Sequence, residues 1–184
     1  MRTCFRCTLP ALLSVWTLAA QTPVQAALAA GDTAPPFSAP AALAGQPQSF
    51  DLASALKKGP VVLYFFPAAF TSGCTIEAQA FAAAIDDFHA LHATVVGVSG
   101  DDIDTLKQFS VSACASKFTV AADSDHRIMK AYDAAQAFRP GMADRISYVI
   151  SPAGKILYAL EGVRPHEHVQ HTLDALRRWQ SPAP

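Results

Sequence analysis

Val61-Val62-Leu63-Tyr64-Phe65-Phe66 is an unbroken apolar run of β-branched and aromatic residues, closed by Pro67. A strand that is apolar on both faces has to be covered on both sides. It belongs in the middle of a sheet with helices above and below, which narrows the fold to the α/β class. Thr94-Val95-Val96-Gly97-Val98-Ser99 is a second strand of the same kind. Between the two, residues 74–91 read as a helix, with Ile76, Ala80, Ala84 and Phe88 at helical spacing and Thr71 or Ser72 near its N-cap. Two buried strands joined through a helix are parallel, because a parallel pair needs a crossover.

The rest of the pattern extends this unit. Residues 31–47, with Pro35, Pro36, Pro40 and Pro47, read as an irregular entry segment. Gln48 to Leu52 suits a short strand, and Asp51 caps a helical turn from Leu52 to Lys58 that Gly59-Pro60 ends. Asp101 or Asp102 caps a helix running to about Val111, followed by a strand over Phe118–Ala121 and a short helix over Ser124–Tyr132. Ile146–Ile150 and Lys155–Leu160 form a hairpin around Pro152-Ala153-Gly154. An amphipathic helix over residues 165–179 closes the chain, with Val169, Leu173, Leu176 and Trp179 inside. The expectation is a three-layer α/β/α sandwich with a mixed central sheet.

The first residues carry a different signal. Arg2 and Arg6 precede an apolar stretch from Leu9 to Ala20, and Val24-Gln25-Ala26 offers small residues for cleavage. This is the three-part pattern of a secretory signal, and the stretch is short for a membrane span. The expected organisation is a cleaved signal over residues 1–26, a single domain over 27–184, and a periplasmic location. Cleavage removes Arg2 and Arg6 and no acid, leaving 12 basic residues against 15 acidic ones. The basic residues are scattered, so no nucleic-acid partner is expected. Cleavage also removes Cys4 and Cys7, so only Cys74 and Cys114 remain of the four cysteines. In an oxidising compartment such a pair is either a structural bridge or a redox couple.

Cys74 has the more informative position. A buried strand ends at Pro67, a loop crosses its carboxyl end, and a helix begins at Cys74. Ligands bind at that edge of open α/β sheets. A cysteine in a first helical turn meets unpaired N–H groups and the positive end of the helix dipole, which favour the thiolate nucleophile. Thr71 brings a hydroxyl within reach of the sulfur or of a bound oxygen. From position alone, a buried structural cysteine fits equally well.

Pro67-x-x-x-Thr71-x-x-Cys74 resembles the active-site signature of the peroxiredoxins, and Tyr64-Phe65-Phe66-Pro67 with Gly73-Cys74-Thr75-x-Glu77-Ala78 resembles their Q-type branch, the bacterioferritin comigratory proteins. Gly31-Asp32-x-Ala34-Pro35-x-Phe37, Phe118-Thr119-Val120-Ala121-Ala122-Asp123 and Arg145-Ile146-Ser147-Tyr148-Val149-Ile150 resemble further family elements in the right order. The resemblance implies a thioredoxin-like fold and a thiol-dependent peroxidase acting on hydrogen peroxide and organic hydroperoxides. It needs no cofactor or metal, and a thioredoxin-like protein or a small thiol reduces it. The chain would be a monomer or weak dimer. Cys74 would be the peroxidatic cysteine, Arg145 its cation, Thr71 a hydrogen-bonding partner and Pro67 the cover of the pocket. The alternative is thiol-disulfide exchange or redox sensing on the same fold.

Two departures matter. Q-type members often carry a second cysteine five residues after the first, where this chain has Gln79. Cys114 is then the candidate resolving cysteine; otherwise the enzyme works with one cysteine and an external thiol. Ala68-Ala69-Phe70 makes the rim more apolar, which suits bulkier hydroperoxides. His166-Glu167-His168-Val169-Gln170-His171 lacks the register of a zinc-binding His-Glu-x-x-His. His168 and His171 read as a solvated helix face, and so do His89 and His92.

Overall fold

The structure, a computed structural model, describes residues 27–181. The signal segment expected over residues 1–26 lies outside the described residues. Seven strands form one sheet: β1 (Ser38–Leu43), β2 (Gln46–Asp51), β3 (Val61–Phe65), β4 (Thr94–Ser99), β5 (Thr119–Ala122), β6 (Ile146–Ile150) and β7 (Ile156–Glu161). Their spatial order is β2-β1-β5-β4-β3-β6-β7. The three inner strands β3, β4 and β5 are parallel, and the flanking pairs are antiparallel, so the sheet is mixed.

Every residue of β3 is buried, and its side chains divide between the two faces. Val62, Tyr64 and Phe66 join one core cluster, and Val61, Leu63 and Phe65 join the other. This is the period of two expected of a strand, with both faces apolar because both are covered. Helices α2 (Ser72–Ala83), α3 (Ile85–Ala90), α4 (Ile103–Ser112) and α6 (Pro165–Gln180) pack on the first face. The shorter α1 (Leu52–Leu56) and α5 (Arg127–Ala131) cover the second. Among the described residues no helix is long and apolar enough to cross a membrane.

The caps follow side-chain chemistry. Asp51 accepts from Ser54 N at 2.8 Å to start α1, and Asp102 accepts from Thr105 N at 2.8 Å to start α4. The buried Asp123 takes the N–H groups of Ile128 and Met129 at 3.0 and 2.8 Å, which anchors α5.

Three expectations need correction. Residues 31–47 are not irregular throughout, because β1 and the start of β2 lie there. Pro47 sits on the edge strand, and Pro40 lies outside the two-residue register of β1 with β5. The turn between these strands is Ala44-Gly45, both left-handed with φ of 51° and 78°. The single helix read over residues 74–91 is two helices that meet at Ala84, where Lys117 Nζ donates to the Ala82 carbonyl at 3.1 Å. Trp179 is not inside; it is 42% exposed.

Candidate active site

β3 ends at Phe65, Phe66 N still donates to the Val98 carbonyl at 3.1 Å, and Pro67 then leaves the sheet. The chain turns through Phe70, which adopts a left-handed φ of 63° and sets its ring edge-on against Phe109, with centroids 5.3 Å apart. Asp101 fixes this turn from the end of β4: its Oδ2 accepts from Ala69 N and from Ser99 Oγ, each at 2.7 Å. Asp102, not Asp101, is therefore the cap of α4, and Asp101 is spent on the loop.

Thr71 has the extended backbone of an N-cap but makes no side-chain cap bond. Its hydroxyl donates to the Ala68 carbonyl at 3.0 Å. The helix begins at Ser72, two residues earlier than read from sequence, so Cys74 lies in the first turn of α2. The thiol is buried, with 2% of the residue exposed.

Arg145 comes from the residue just before β6. The antiparallel register of Phe65 with Ile146 brings it to the sheet edge where Pro67 departs. Its guanidinium spans two groups on α2: Nη2 lies 3.5 Å from Cys74 Sγ, and Nη1 is ion-paired with Glu77 Oε2. Glu77 follows Cys74 by three residues and so shares its helix face. The Glu77 side chain has no exposed surface, and burial pushes its carboxyl up to about 8 against the opposing pull of Arg145. Among the described residues its Oε1 has no hydrogen-bond partner.

Pro67 and Arg145 line an open pocket of about 240 Å³ together with Gln136, Asp144, Glu161 and Val163. The structure thus gathers Cys74, Arg145, Thr71 and Pro67 at one sheet edge. Cys114 lies just beyond α4, fully buried in the same apolar cluster as Cys74. Both thiols are free, and burial drives the Cys114 thiol far above its ordinary range. The Tyr64 hydroxyl, itself buried without a partner, lies within electrostatic reach of both. Gln79 is exposed.

Sequence reading missed two contributors. Glu77 stood in the quoted motif without a role; the signal was its spacing from Cys74. His168 was read as solvated, but it is fully buried, whereas His171 is exposed and bonds Tyr158. The signal was its place beside Val169 and four residues before Thr172, on the face that packs inward.

A model of the AhpC/TSA family matches residues 30–159. The chain belongs to the AhpC/TSA family. It is 32% identical over 148 residues to the chloroplastic peroxiredoxin Q of Sedum lineare, covering 80% of this chain and 77% of that protein. It is 29% identical over 155 residues to a putative peroxiredoxin bcp of Haemophilus influenzae, covering 82% of this chain and 97% of the relative. With the chloroplastic peroxiredoxin Q of Oryza sativa subsp. japonica, at 32% identity, the match spans only 57% of the relative's length. Among solved structures, peroxidoxin BcpB of Mycobacterium tuberculosis aligns with a TM-score of 0.73 at 28% identity, over 83% of this chain and 98% of that one. Peroxiredoxin Q of Xanthomonas campestris aligns with a TM-score of 0.66 at 26% identity, over 76% and 89%. The Q-type resemblance read from the motifs and the thioredoxin-like peroxiredoxin fold are therefore both borne out.

Proposed function

We propose that this AhpC/TSA family member is a thiol-dependent peroxidase that reduces hydrogen peroxide and organic hydroperoxides at Cys74. The observation that carries the reading is the contact of the Arg145 guanidinium with a buried sulfur in the first turn of a helix; Arg145 and Pro67 also line an open pocket. A thiolate there attacks the terminal peroxide oxygen. The S–O bond forms as the O–O bond breaks, sulfur gives up two electrons, and the departing oxygen takes a proton to leave as water or alcohol. Cys74 becomes a sulfenic acid. Negative charge passes from sulfur to the departing oxygen, and a fixed cation next to both lowers the barrier. The first-turn N–H groups donate hydrogen bonds, Thr71 Oγ1, whose proton goes to the Ala68 carbonyl, can accept one from the peroxide O–H, and Pro67 limits water.

Cys114 is the proposed resolving cysteine. Its sulfur attacks the sulfenic sulfur, the S–OH bond breaks, the hydroxyl takes the thiol's proton to leave as water, and a disulfide forms. Disulfide Cα atoms come within about 7 Å. Cys74 sits in the first turn of α2 and Cys114 just beyond α4, and the proposed bridge forms with local unwinding of the Cys74 helix. A thioredoxin-like protein or a small thiol then reduces the bond. The Arg2–Ala26 pattern favours action after export, to the periplasm in a bacterial cell.

Peroxide consumption by the wild-type chain and by Cys74→Ser tests the first half. Turnover should vanish in the variant; unchanged turnover refutes the mechanism and leaves thiol-disulfide exchange or sensing. Intact mass after one equivalent of peroxide tests the second half. Loss of two hydrogens within one chain supports resolution by Cys114, and gain of one oxygen refutes it in favour of an external thiol.

A further inference from the structure

His168 projects from α6 into the core and has no exposed surface. Its ring is held from both sides. Nε2 lies 3.1 Å from the Gly162 carbonyl, and Nδ1 lies 2.9 Å from Ser147 Oγ on β6. A carbonyl only accepts, so Nε2 carries a proton and, in the neutral ring, Nδ1 is the lone-pair atom. Gly162 N in turn donates to the Arg145 carbonyl at 3.2 Å, which ties the same loop to the backbone of the active-site arginine.

Nδ1 also lies 3.9 Å from Glu77 Oε1, the carboxyl oxygen that has no other partner. The other oxygen of that carboxyl is committed to Arg145. A proton on Glu77 therefore belongs on Oε1, facing Nδ1; 3.9 Å is longer than a hydrogen bond, so the two side chains must close by several tenths of an ångström to make one. Ser147 Oγ makes its side-chain hydrogen bond to this same Nδ1, so the serine and the protonated carboxyl would share it.

The consequence for Cys74 follows from charge counting in a buried cluster. Arg145 is one cation shared by two acidic groups. When Glu77 is neutral, the whole guanidinium charge is available to a Cys74 thiolate, and the trio is neutral overall. When Glu77 is ionised, the two anions share one cation, and the trio holds a net negative charge away from water, which is costly. The groups facing the pair are Cys74 and Glu77 on α2, Arg145 and Ser147 at β6, Tyr64 on β3, and Glu167 and His171 on α6 itself.

We propose that His168 is a positioning residue of the Cys74 site: its Nδ1 accepts a hydrogen bond from the protonated Glu77 carboxyl, the proton staying on Glu77, and so sets how much of the Arg145 charge is turned toward the sulfur. This inference rests on the peroxidase reading of Cys74, but its test does not need turnover. Burial holds His168 down to about 4, so the ring is a neutral acceptor near neutral pH, as the role requires.

The test is the rate at which iodoacetamide alkylates Cys74, followed by peptide mass across pH on the full chain. The wild type should show a step from Glu77 besides the thiol's own, and Glu77→Gln should lack it. His168→Phe keeps a ring of similar size without nitrogens and should move that step by about half a pH unit or more. A smaller movement overturns the proposal, even if the melting temperature falls, because His168 is then only a packing residue. If His168→Phe does not fold, imidazole ¹⁵N resonances of the wild type decide. Those of His168 should shift when Cys74 is alkylated, and fixed resonances overturn the coupling. A wild type that alkylates with the Glu77 step but consumes no peroxide refutes the peroxidase reading and leaves the coupling intact.

Discussion

Gly73 faces Arg145 at close range: a Cβ at residue 73 would stand 3.2 Å from Nη2, the nitrogen that approaches Cys74 Sγ. The glycine keeps room for the guanidinium. Gly73→Ala adds a methyl group in a helix, worth up to about 1 kcal/mol of stability. The same methyl pushes Nη2 by a few tenths of an ångström. The expected result is an unchanged or higher melting temperature with peroxide turnover lowered about tenfold, a partial loss of one donor to the reacting charge. Turnover equal to wild type would show that Nη2 has slack.

Arg145→Met removes the cation and keeps most of the side-chain length. Turnover should fall by about a hundredfold to a thousandfold, the usual size of losing a fixed donor to a developing charge. Arg145→Lys should recover little of it, because one ammonium cannot serve Glu77 and Cys74 with two nitrogens at once. Steady-state peroxide consumption at fixed reductant reads both.

Stability should depend on pH in a definite direction. The Glu77 carboxyl is raised by burial from 4.5 to about 8, so the folded chain binds its proton more tightly than the unfolded chain. That contribution is complete below 4.5 and is lost as pH climbs through about 8. His168 is lowered by burial from 6.5 to about 4, so its contribution is present above 6.5 and is lost as pH falls through about 4. The two slopes oppose each other between 4.5 and 6.5, and only the Glu77 slope remains from 6.5 to about 8. Urea midpoints should therefore fall between pH 6.5 and 8 in the wild type, and Glu77→Gln should flatten that fall.

Gly97 lies on β4 directly beneath the Tyr64 ring. A Cβ there would come within 2.7 Å of Tyr64 Cζ and 2.8 Å of its hydroxyl oxygen. Tyr64 is stacked on Phe81 with centroids 4.5 Å apart and has no free space to retreat into. Gly97→Ala should cost about 1–3 kcal/mol by overpacking, read as a lower urea midpoint. A midpoint equal to wild type would contradict the rigid packing of this ring.

The unbroken apolar run of residues 61–66 and the β-branched run at 94–98 exposed the centre of the sheet to sequence reading, because burial on both faces leaves a continuous apolar signal. The position of Cys74 was equally legible, since a strand end, a proline and a helix start mark that edge. The β1–β2 hairpin was not. Its turn puts Ala44, not a glycine or asparagine, at the first left-handed position, and prolines obscure its strands. Glu77 and His168 escaped for a different reason. A buried charged residue looks like a surface one in sequence until its partner, brought in from 68 residues away in the case of Arg145, is known.

The interruption at Ala84 gives the first helix after the cysteine a short length of its own. A helix of 12 residues bearing Cys74 stops before α3; α2 packs mainly on α6 and α3 on β4, while Phe81 of α2 meets Phe88 of α3 with ring centroids 5.7 Å apart. An uninterrupted helix would spread any loosening at Cys74 toward the β4 edge. Here the opening has a boundary: the first turn of α2 can loosen while Phe81, later in the same helix, stays stacked on Tyr64 and α3 stays closed. In the proposed peroxidase cycle the break would act as a firewall, confining any unwinding to the segment that carries the sulfur.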